Sequence, residues 1–222
     1  MPTTLKNQKI AVLMGGKAAE REVSLRSGTA VTAAFNSAGF NAESIDVSTI
    51  NDLQALKGKF DLAFIALHGR WGEDGVVQAV LNDLGIPFTG SKMSAASVGM
   101  DKLRTKLLWL GAGLPTPAFQ WVATNKPLQK EALTVAFPMM VKPTHEGSSI
   151  GMRKVYNWDE LVAAVEFAQE YDDEVLLEQW VTGREFTGAV LGEKALPLIE
   201  LKTTHDFYDF EAKYQANDTQ YL

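Results

Sequence analysis

The 222-residue chain contains no cysteine. That absence excludes disulfides and thiolate metal sites, and it fits a reducing compartment. Histidine is scarce as well, standing only at positions 68, 145 and 205, so no metal cluster is visible in the sequence. No apolar run approaches the ~18 residues of a membrane-spanning helix. The opening Met-Pro-Thr-Thr-Leu-Lys-Asn-Gln lacks the apolar core of a signal peptide. There is no run of Lys and Arg, and the formal net charge is −6, which argues against a nucleic-acid footprint. A few lysines inside a cleft can still hold an anionic ligand, because the local field and not the net charge decides. Internal repeats and low-complexity segments are absent too. The reading is a soluble cytoplasmic protein with no nucleic-acid or membrane partner.

What is present is ordinary globular material, 46% hydrophobic and 22% charged. The length suits one large domain or one and a half ordinary ones. Lys9–Leu13 reads as a buried strand, followed by the Gly15–Ser24 loop. A helix then carries Val31, Ala34, Phe35 and Ala38 on one stripe, with Gly39 as its stop. Leu62–Leu67 reads as a second strand and opens into the loop His68–Gly75. The next helix has Val77, Val80, Leu81 and Leu84 on one face, ended by Gly85 and Pro87. Strands alternating with amphipathic helices predict parallel βαβ units and a doubly wound sheet. In such sheets ligands bind at the loops leaving the carboxyl ends of the strands. Gly15-Gly16-Lys17-Ala18-Ala19-Glu20 does not supply the Gly-x-Gly-x-x-Gly of a dinucleotide site. Glu20 reads either as a partner for a small cation or as a helix-start carboxylate on the dipole. His68 reads either as a site residue or as an ordinary loop histidine.

Ser91–Gly113 predicts one or two helices, the second bearing Leu103, Leu107 and Leu110. Lys102 at its start is a phosphate candidate or a solvated helix lysine. Gly113–Pro117 is a connector. Phe119–Ala123, Phe137–Lys142 and Gly151–Val155 read as strands, and Asn157 with Glu160 three positions on opens a helix striped with Trp158, Leu161, Val162 and Val165. Val175–Trp180 is a strand that turns from apolar to polar. Between two of these strands lies Pro138–Gly151, where an apolar run delivers Lys142 to a loop of small residues. Gly and Ser let such a loop aim several backbone N–H groups at one point, and a lysine beside it is the usual way to hold a triphosphate. The tail from Phe207 is polar and aromatic without regular period, and reads as a long functional loop.

Six motifs occur in order: Met14-Gly-Gly-x-x-x-Glu20-Arg-Glu-Val-Ser24, Leu67-His-Gly-x-x-Gly-Glu-Asp-Gly75, Met100-Asp-Lys102, Val141-Lys-Pro-x-x-Glu-Gly-Ser-Ser-Ile-Gly151, Glu178-Gln-Trp180 and Tyr208-x-x-Glu-Ala-Lys-Tyr214. Together they closely resemble the D-alanine–D-alanine ligase family of ATP-grasp enzymes, over residues 8 to 222. The resemblance implies an N-terminal doubly wound (pre-ATP-grasp) domain at 1–90, a central ATP-grasp lobe at 91–180 and the start of a C-terminal lobe at 181–222. ATP would lie between the grasp lobes. It also implies a D-alanine attacking the γ-phosphate to give an acyl phosphate, and a second D-alanine attacking that carbonyl, for peptidoglycan precursor synthesis. By matching position, Lys102 and Lys142 would meet the phosphates, with Gly147, Ser148 and Ser149 in the closing loop and Tyr208 and Lys213 beside them. Glu178, Gln179, Trp180 and Val181 would line the adenine site, and Glu185 would take the ribose. Glu20 would hold the first D-alanine's ammonium, with Ser148 and Tyr214 linked to it and His68 near the carboxylate; Tyr214 looks like the D-alanine-specific form. Relatives are commonly homodimers. The family's magnesium ligands lie beyond its tyrosine loop, so none is named within this chain. The expectation is that these 222 residues alone do not turn over. The alternatives are a non-catalytic fragment or another ATP-grasp carboxylate–amine ligase.

Overall fold

The computed structural model describes residues 5–123, 128–215 and 218–222. Residues 1–4 of the opening stretch, and 216–217 of the tail, lie outside the described residues. The chain divides into two compact units, Met1–Leu114 and Pro115–Leu222.

The first unit is built on β1 (Lys9–Gly15), whose Ile-Ala-Val-Leu core is wholly buried. It is followed by α1 (Arg21–Ser37), β2 (Asn41–Val47), α2 (Ile50–Gln54), β3 (Leu62–Ile65), α3 (Val76–Asp83), α4 (Met93–Met100) and α5 (Lys102–Gly111). The sheet order is β2-β1-β3, and both pairings are parallel. Alternation along β1 sends Ile10 and Val12 toward Val31 and Phe35 of α1, and Ala11 and Leu13 toward Leu53, Val77 and Leu81 on the other face. Helices on both faces make the sheet doubly wound, as the alternating pattern predicts. Two expectations are corrected here. Ala34 and Ala38 are exposed, because α1 buries Val23, Ser24 and Gly28 instead. Leu107 and Leu110 of α5 are also exposed, at 53% each, while Leu103 is buried.

The second unit holds β4 (Phe119–Ala123), β5 (Met139–Pro143), β6 (Arg153–Val155), α6 (Trp158–Gln169) and β7 (Glu174–Gln179). These strands form an antiparallel sheet in the order β4-β7-β5-β6. Leu161, Ala164, Val165 and Ala168 of α6 pack on Met139, Val141, Val175 and Leu177. Asn157 caps α6 by accepting the Glu160 N–H at 3.0 Å, and Glu160 accepts the Tyr156 N–H at 2.8 Å, one residue earlier than a strict capping box. Beyond β7 come β8 (Glu185–Thr187), β9 (Val190–Leu191), β10 (Lys194–Ala195), β11 (Ile199–Lys202), α7 (Phe210–Tyr214) and β12 (Gln220–Tyr221). β12, β11 and β8 form a small antiparallel sheet, and β9 pairs with β10. The tail is therefore more regular than a loop: Asp209 caps α7 by accepting the Ala212 N–H at 2.8 Å. No helix among the described residues is long and apolar enough to cross a membrane.

One buried hydroxyl joins the loop ends of the first unit. Ser24 Oγ accepts the Gly15 N–H at 3.0 Å and donates to the Ala66 carbonyl at 2.7 Å. Replacing Ser24 with alanine leaves a buried donor and a buried acceptor unpaired, each orphan costing roughly 1–3 kcal/mol. Ser24→Ala is therefore expected to lower the urea midpoint of the first unit clearly, as read by fluorescence or circular dichroism. A midpoint shift within error would show that this bridge is not a stabilising contact.

Candidate functional site

In the first unit the chain leaves β1 through Gly15 and Gly16, both at positive φ (86° and 81°). The turn is closed by Arg21, whose Nη1 donates to the Gly16 carbonyl at 3.0 Å while its fork grips Asp46 at 2.9 and 2.6 Å. A side chain at Gly15 would run into Asp46, its Cβ falling 2.1 Å from Oδ1. The turn ends on Glu20, the residue preceding α1, which makes no side-chain capping bond. Its carboxylate is 1% exposed, and neither oxygen has a hydrogen-bond partner among the described residues. Burying a carboxylate without a hydrogen-bond partner is unfavourable, which sets Glu20 apart from the other carboxylates of this loop.

Gly69 packs directly on that carboxylate. A Cβ there would sit 2.4 Å from Glu20 Oε2, and Gly69 has φ of 65°. The Gly69 N–H is held by Glu73 Oε2 at 2.7 Å, and the Trp71 N–H by Asp74 Oδ2 at 2.6 Å. These two carboxylates fix the loop that carries half-buried His68. Lys102 opens α5 directly after its cap, Asp101, which accepts the Arg104 N–H at 2.9 Å.

In the second unit the residues group on the sheet face opposite α6. Met139 and Val141 point toward the helix, so Met140 and Lys142 point away. Across the β5–β7 pairing Met140 faces Glu178, and Lys142 faces Leu176. Lys142 and Glu178 thus form a diagonal same-face pair, and the ammonium donates to Glu178 Oε1. Lys154 of β6 faces Met140 in register and stands 4.1 Å from the centroid of the Trp180 ring. Gln179 and Val181, on either side of Trp180, are exposed.

The loop after β5 is anchored at both ends. At its start Asp172 accepts from the His145 N–H at 2.6 Å, from the Thr144 hydroxyl at 3.0 Å, and pairs with His145 Nδ1 at 2.9 Å. Burial works against the Asp172 charge, but the N–H groups of His145 and Glu174, together with the His145 ring, outweigh it and hold the carboxyl below its ordinary value. At its end Gly151 has φ of 70°, with Pro143 Cγ 2.6 Å from where a Cβ would be. Between the anchors, Ser148 and Ser149 also take positive φ, 53° and 60°. Ser148 Oγ lies 3.0 Å from the Tyr214 hydroxyl. Ser149 Oγ donates to the Tyr208 carbonyl at 3.0 Å and accepts from Lys213 Nζ at 2.8 Å. Gly147 closes the turn by accepting the Ile150 N–H at 3.0 Å.

Burial pushes the Lys213 ammonium below its ordinary value; Glu185 and Asp209 pull it back, and Lys142 adds to the depression. Both lysines also feel carboxylates, Lys142 through Glu178 and Lys213 through Glu185 and Asp209. Burial, and then the hydrogen bond to Tyr221, push the Tyr208 phenol up to about 12, so it stays protonated. The structure brings together Lys142 with Glu178, and Ser148, Ser149, Tyr208, Lys213 and Tyr214 with one another. Sequence reasoning quoted Arg21, Ser24 and Gly69 only as motif members without a role, and passed over Asp172 and Lys154. A signal existed for two of them: Ser24 follows Glu20 by four residues, and Lys154 alternates with buried Val155.

A doubly wound parallel-sheet unit, followed by antiparallel sheets that carry a lysine and a glycine–serine loop, defines an α/β protein of the pre-ATP-grasp and ATP-grasp type. The family model for the D-ala D-ala ligase C-terminus matches residues 108–222, and that for the N-terminus matches residues 41–91. The D-alanine–D-alanine ligase of Hydrogenovibrio crunogenus is 62% identical over 214 residues, covering 96% of this chain and 68% of that protein. The crystal structure of a D-alanine–D-alanine ligase from Bacillus anthracis matches with a TM-score of 0.86 at 35% identity, over 97% of this chain and 71% of that one. The same enzyme complexed with ATP matches at 0.84 and 31% identity, over 97% and 70%. The chain belongs to the D-alanine–D-alanine ligase family.

The His205 and Asp209 pair next to α7 carries a pH signature. The hydrogen bond that His205 donates to Asp209 raises the His205 pKa above its ordinary 6.5; burial works against it, and charge attraction to Asp209, Glu211 and Asp218 adds to the rise. A raised histidine value means the pairing is fully present below about 6.5 and is lost as pH rises through the raised value. An NMR titration of the His205 ring should therefore give a midpoint above 6.5, falling in Asp209→Asn. A wild-type midpoint at or below 6.5 would contradict the pairing.

Proposed function

We propose that this chain serves the ATP-dependent ligation of two D-alanines to D-alanyl-D-alanine through an acyl phosphate, for peptidoglycan precursors in the cytoplasm. The observation that carries the reading is Glu20, a carboxylate 1% exposed with both oxygens unpartnered among the described residues. An amino-acid ammonium is the donor that such a site asks for, since it offers three N–H groups and the compensating charge. His68, one residue from Gly69, then faces the carboxylate of the same substrate. Ser148 and Tyr214, 3.0 Å apart, hold the closing loop against α7 when substrate is present.

Nucleotide binding falls to the second unit and to Lys102. Lys142 and Lys213 meet the phosphates, and the Gly147–Ser149 backbone supplies N–H donors to them. Glu178 through Val181 line the adenine, and Glu185 takes the ribose. Lys142 gives up its pairing with Glu178 in part as phosphate oxygens arrive, which is cheap because the lysine stem is long and one-fifth exposed. The chemistry then needs positioning and positive charge around the transferring phosphoryl, and no protein nucleophile. Within this proposal, residues 1–90 bind substrate, 91–180 form the central lobe and 181–222 begin the C-terminal lobe of a homodimeric enzyme. Magnesium accompanies ATP in this class of chemistry, but no group of three or more metal-binding side chains stands together among the described residues.

The test is a pair of amide-resonance titrations on the purified chain, with D-alanine and with ATP. D-Alanine is expected to move Gly69 and its neighbours, and ATP to move Gly147–Gly151. Glu20→Gln should weaken D-alanine by roughly ten- to hundredfold, the worth of a charged hydrogen bond, and leave ATP unchanged. Lys142→Met should do the reverse. Equal responses to D- and L-alanine, or an unaffected Glu20→Gln, would overturn the assignment.

A further inference from the structure

A cavity of about 460 Å³ opens in the first unit beside the end of β3. Ile65, Leu67 and Met100 give it an apolar wall, and Glu73, Gln78 and Thr89 bring polar atoms to it. Glu20 and His68 are not among its lining residues. Ala63 of β3 bridges in parallel to Phe88, so Ile65, the last residue of β3, and Thr89 both lie at the carboxyl ends of neighbouring parallel segments. Open α/β sheets bind ligands at that edge.

Gln78 makes this more than a void. It is 6% exposed, and its Nε2 donates to the Gly72 carbonyl at 2.8 Å, which fixes the amide's orientation. Its Oε1 is buried with no hydrogen-bond partner among the described residues. A buried carboxamide oxygen is normally satisfied, so an orphan beside a cavity marks where a donor belongs. Thr89 Oγ1 is already engaged by the Ile65 N–H at 3.1 Å. Glu73 is pinned through the Gly69 N–H, and no basic residue lines the cavity, so its charge is negative.

We propose that this cavity binds a small aliphatic ammonium, one N–H on Gln78 Oε1 and its carbon body against Ile65, Leu67 and Met100. Each part of the ligand answers one feature: the donor answers the orphan oxygen, the cation answers Glu73, and the hydrocarbon answers the apolar wall. A neutral alcohol satisfies only Gln78 and the wall. A carboxylate of the same shape is repelled by Glu73 and offers Gln78 no donor.

The test uses the whole chain with its methionine methyls labelled, Met100 being assigned through Met100→Leu. Titration with 3-methylbutylammonium is expected to give a saturable shift of the Met100 methyl and of the Gln78 side-chain amide. 3-Methylbutan-1-ol should bind about tenfold more weakly, and 3-methylbutanoate should give no saturable shift. Gln78→Leu should weaken the ammonium about tenfold. Ala96→Phe, which fills the cavity from α4 without touching the Gln78–Gly72 bond, should abolish the shift and serves if Gln78→Leu does not fold. No saturable shift, equal binding of all three probes, or undiminished binding by a folded Ala96→Phe would overturn the proposal.

Discussion

The hydroxyl of Ser24 ties the two loop-bearing ends of the parallel sheet to one point on α1. Gly15, at the end of β1, and Ala66, just past β3, would each present a buried backbone group with nothing to bond. Because the bridge comes from the second turn of α1, it also sets where that helix begins, and hence where Glu20 stands. The stripe of α1 that faces the sheet end is thus Glu20, Ser24 and Gly28, four residues apart, with Gly28 leaving room for Met14. Farther along, the helix returns to apolar packing through Val31 and Phe35. One face of one helix serves two purposes, a polar one near the loops and an apolar one behind them.

That division explains what the amino-acid order disclosed and what it hid. α3 and α6 follow from hydrophobic period, since each buries an apolar stripe, while β1 and β3 follow from short continuous apolar runs. The first turns of α1 break that rule: a search for apolar period passes over Ser24 and Gly28 and lands on Ala34 and Ala38, which are exposed. β2, Asn-Ala-Glu-Ser-Ile-Asp-Val, also escaped. It lies at the sheet edge with only Ala42 and Val47 buried, and edge strands carry little alternation to read. In the tail, α7 is a single turn whose existence rests on the Asp209 cap, too short for periodicity to register. The lysine of β5 and the glycine–serine loop were legible because composition alone describes such a loop. Asp172 was not, since it reaches the loop across 27 residues of sequence through the turn after α6.

The loop after β5 shows what holding a mobile-looking segment requires. Three of its residues, Ser148, Ser149 and Gly151, sit at positive φ, and for two of them that conformation is strained. The strain persists only because the surroundings over-determine it. Asp172 fixes the entrance, Pro143 and Tyr171 crowd Gly151 at the exit, and Tyr208, Lys213 and Tyr214 hold the two serines. In this arrangement Lys213 spends its donor on Ser149 while its charge is depressed by burial and by Lys142. An arriving polyanion would reverse that balance, since its charge offsets both the repulsion between the lysines and the burial of Lys213.

Among the described residues of the first unit two side chains, Glu20 and Gln78, carry unsatisfied buried acceptors, and they differ in kind. Glu20 presents two carboxylate oxygens against the bare backbone of Gly69. Gln78 presents a neutral oxygen inside an apolar cavity, with its charge supplied at one remove by Glu73. Under the two proposals charge density would sort the ligands, a polar ammonium carrying its own carboxylate at Glu20 and an ammonium on a hydrocarbon stem at Gln78. Glu73 lies between the two, lining the cavity with its own body while its Oε2 holds the Gly69 N–H against Glu20. Its carboxylate is thus shared between a structural duty in the loop and an electrostatic one in the cavity, and substituting it would disturb both.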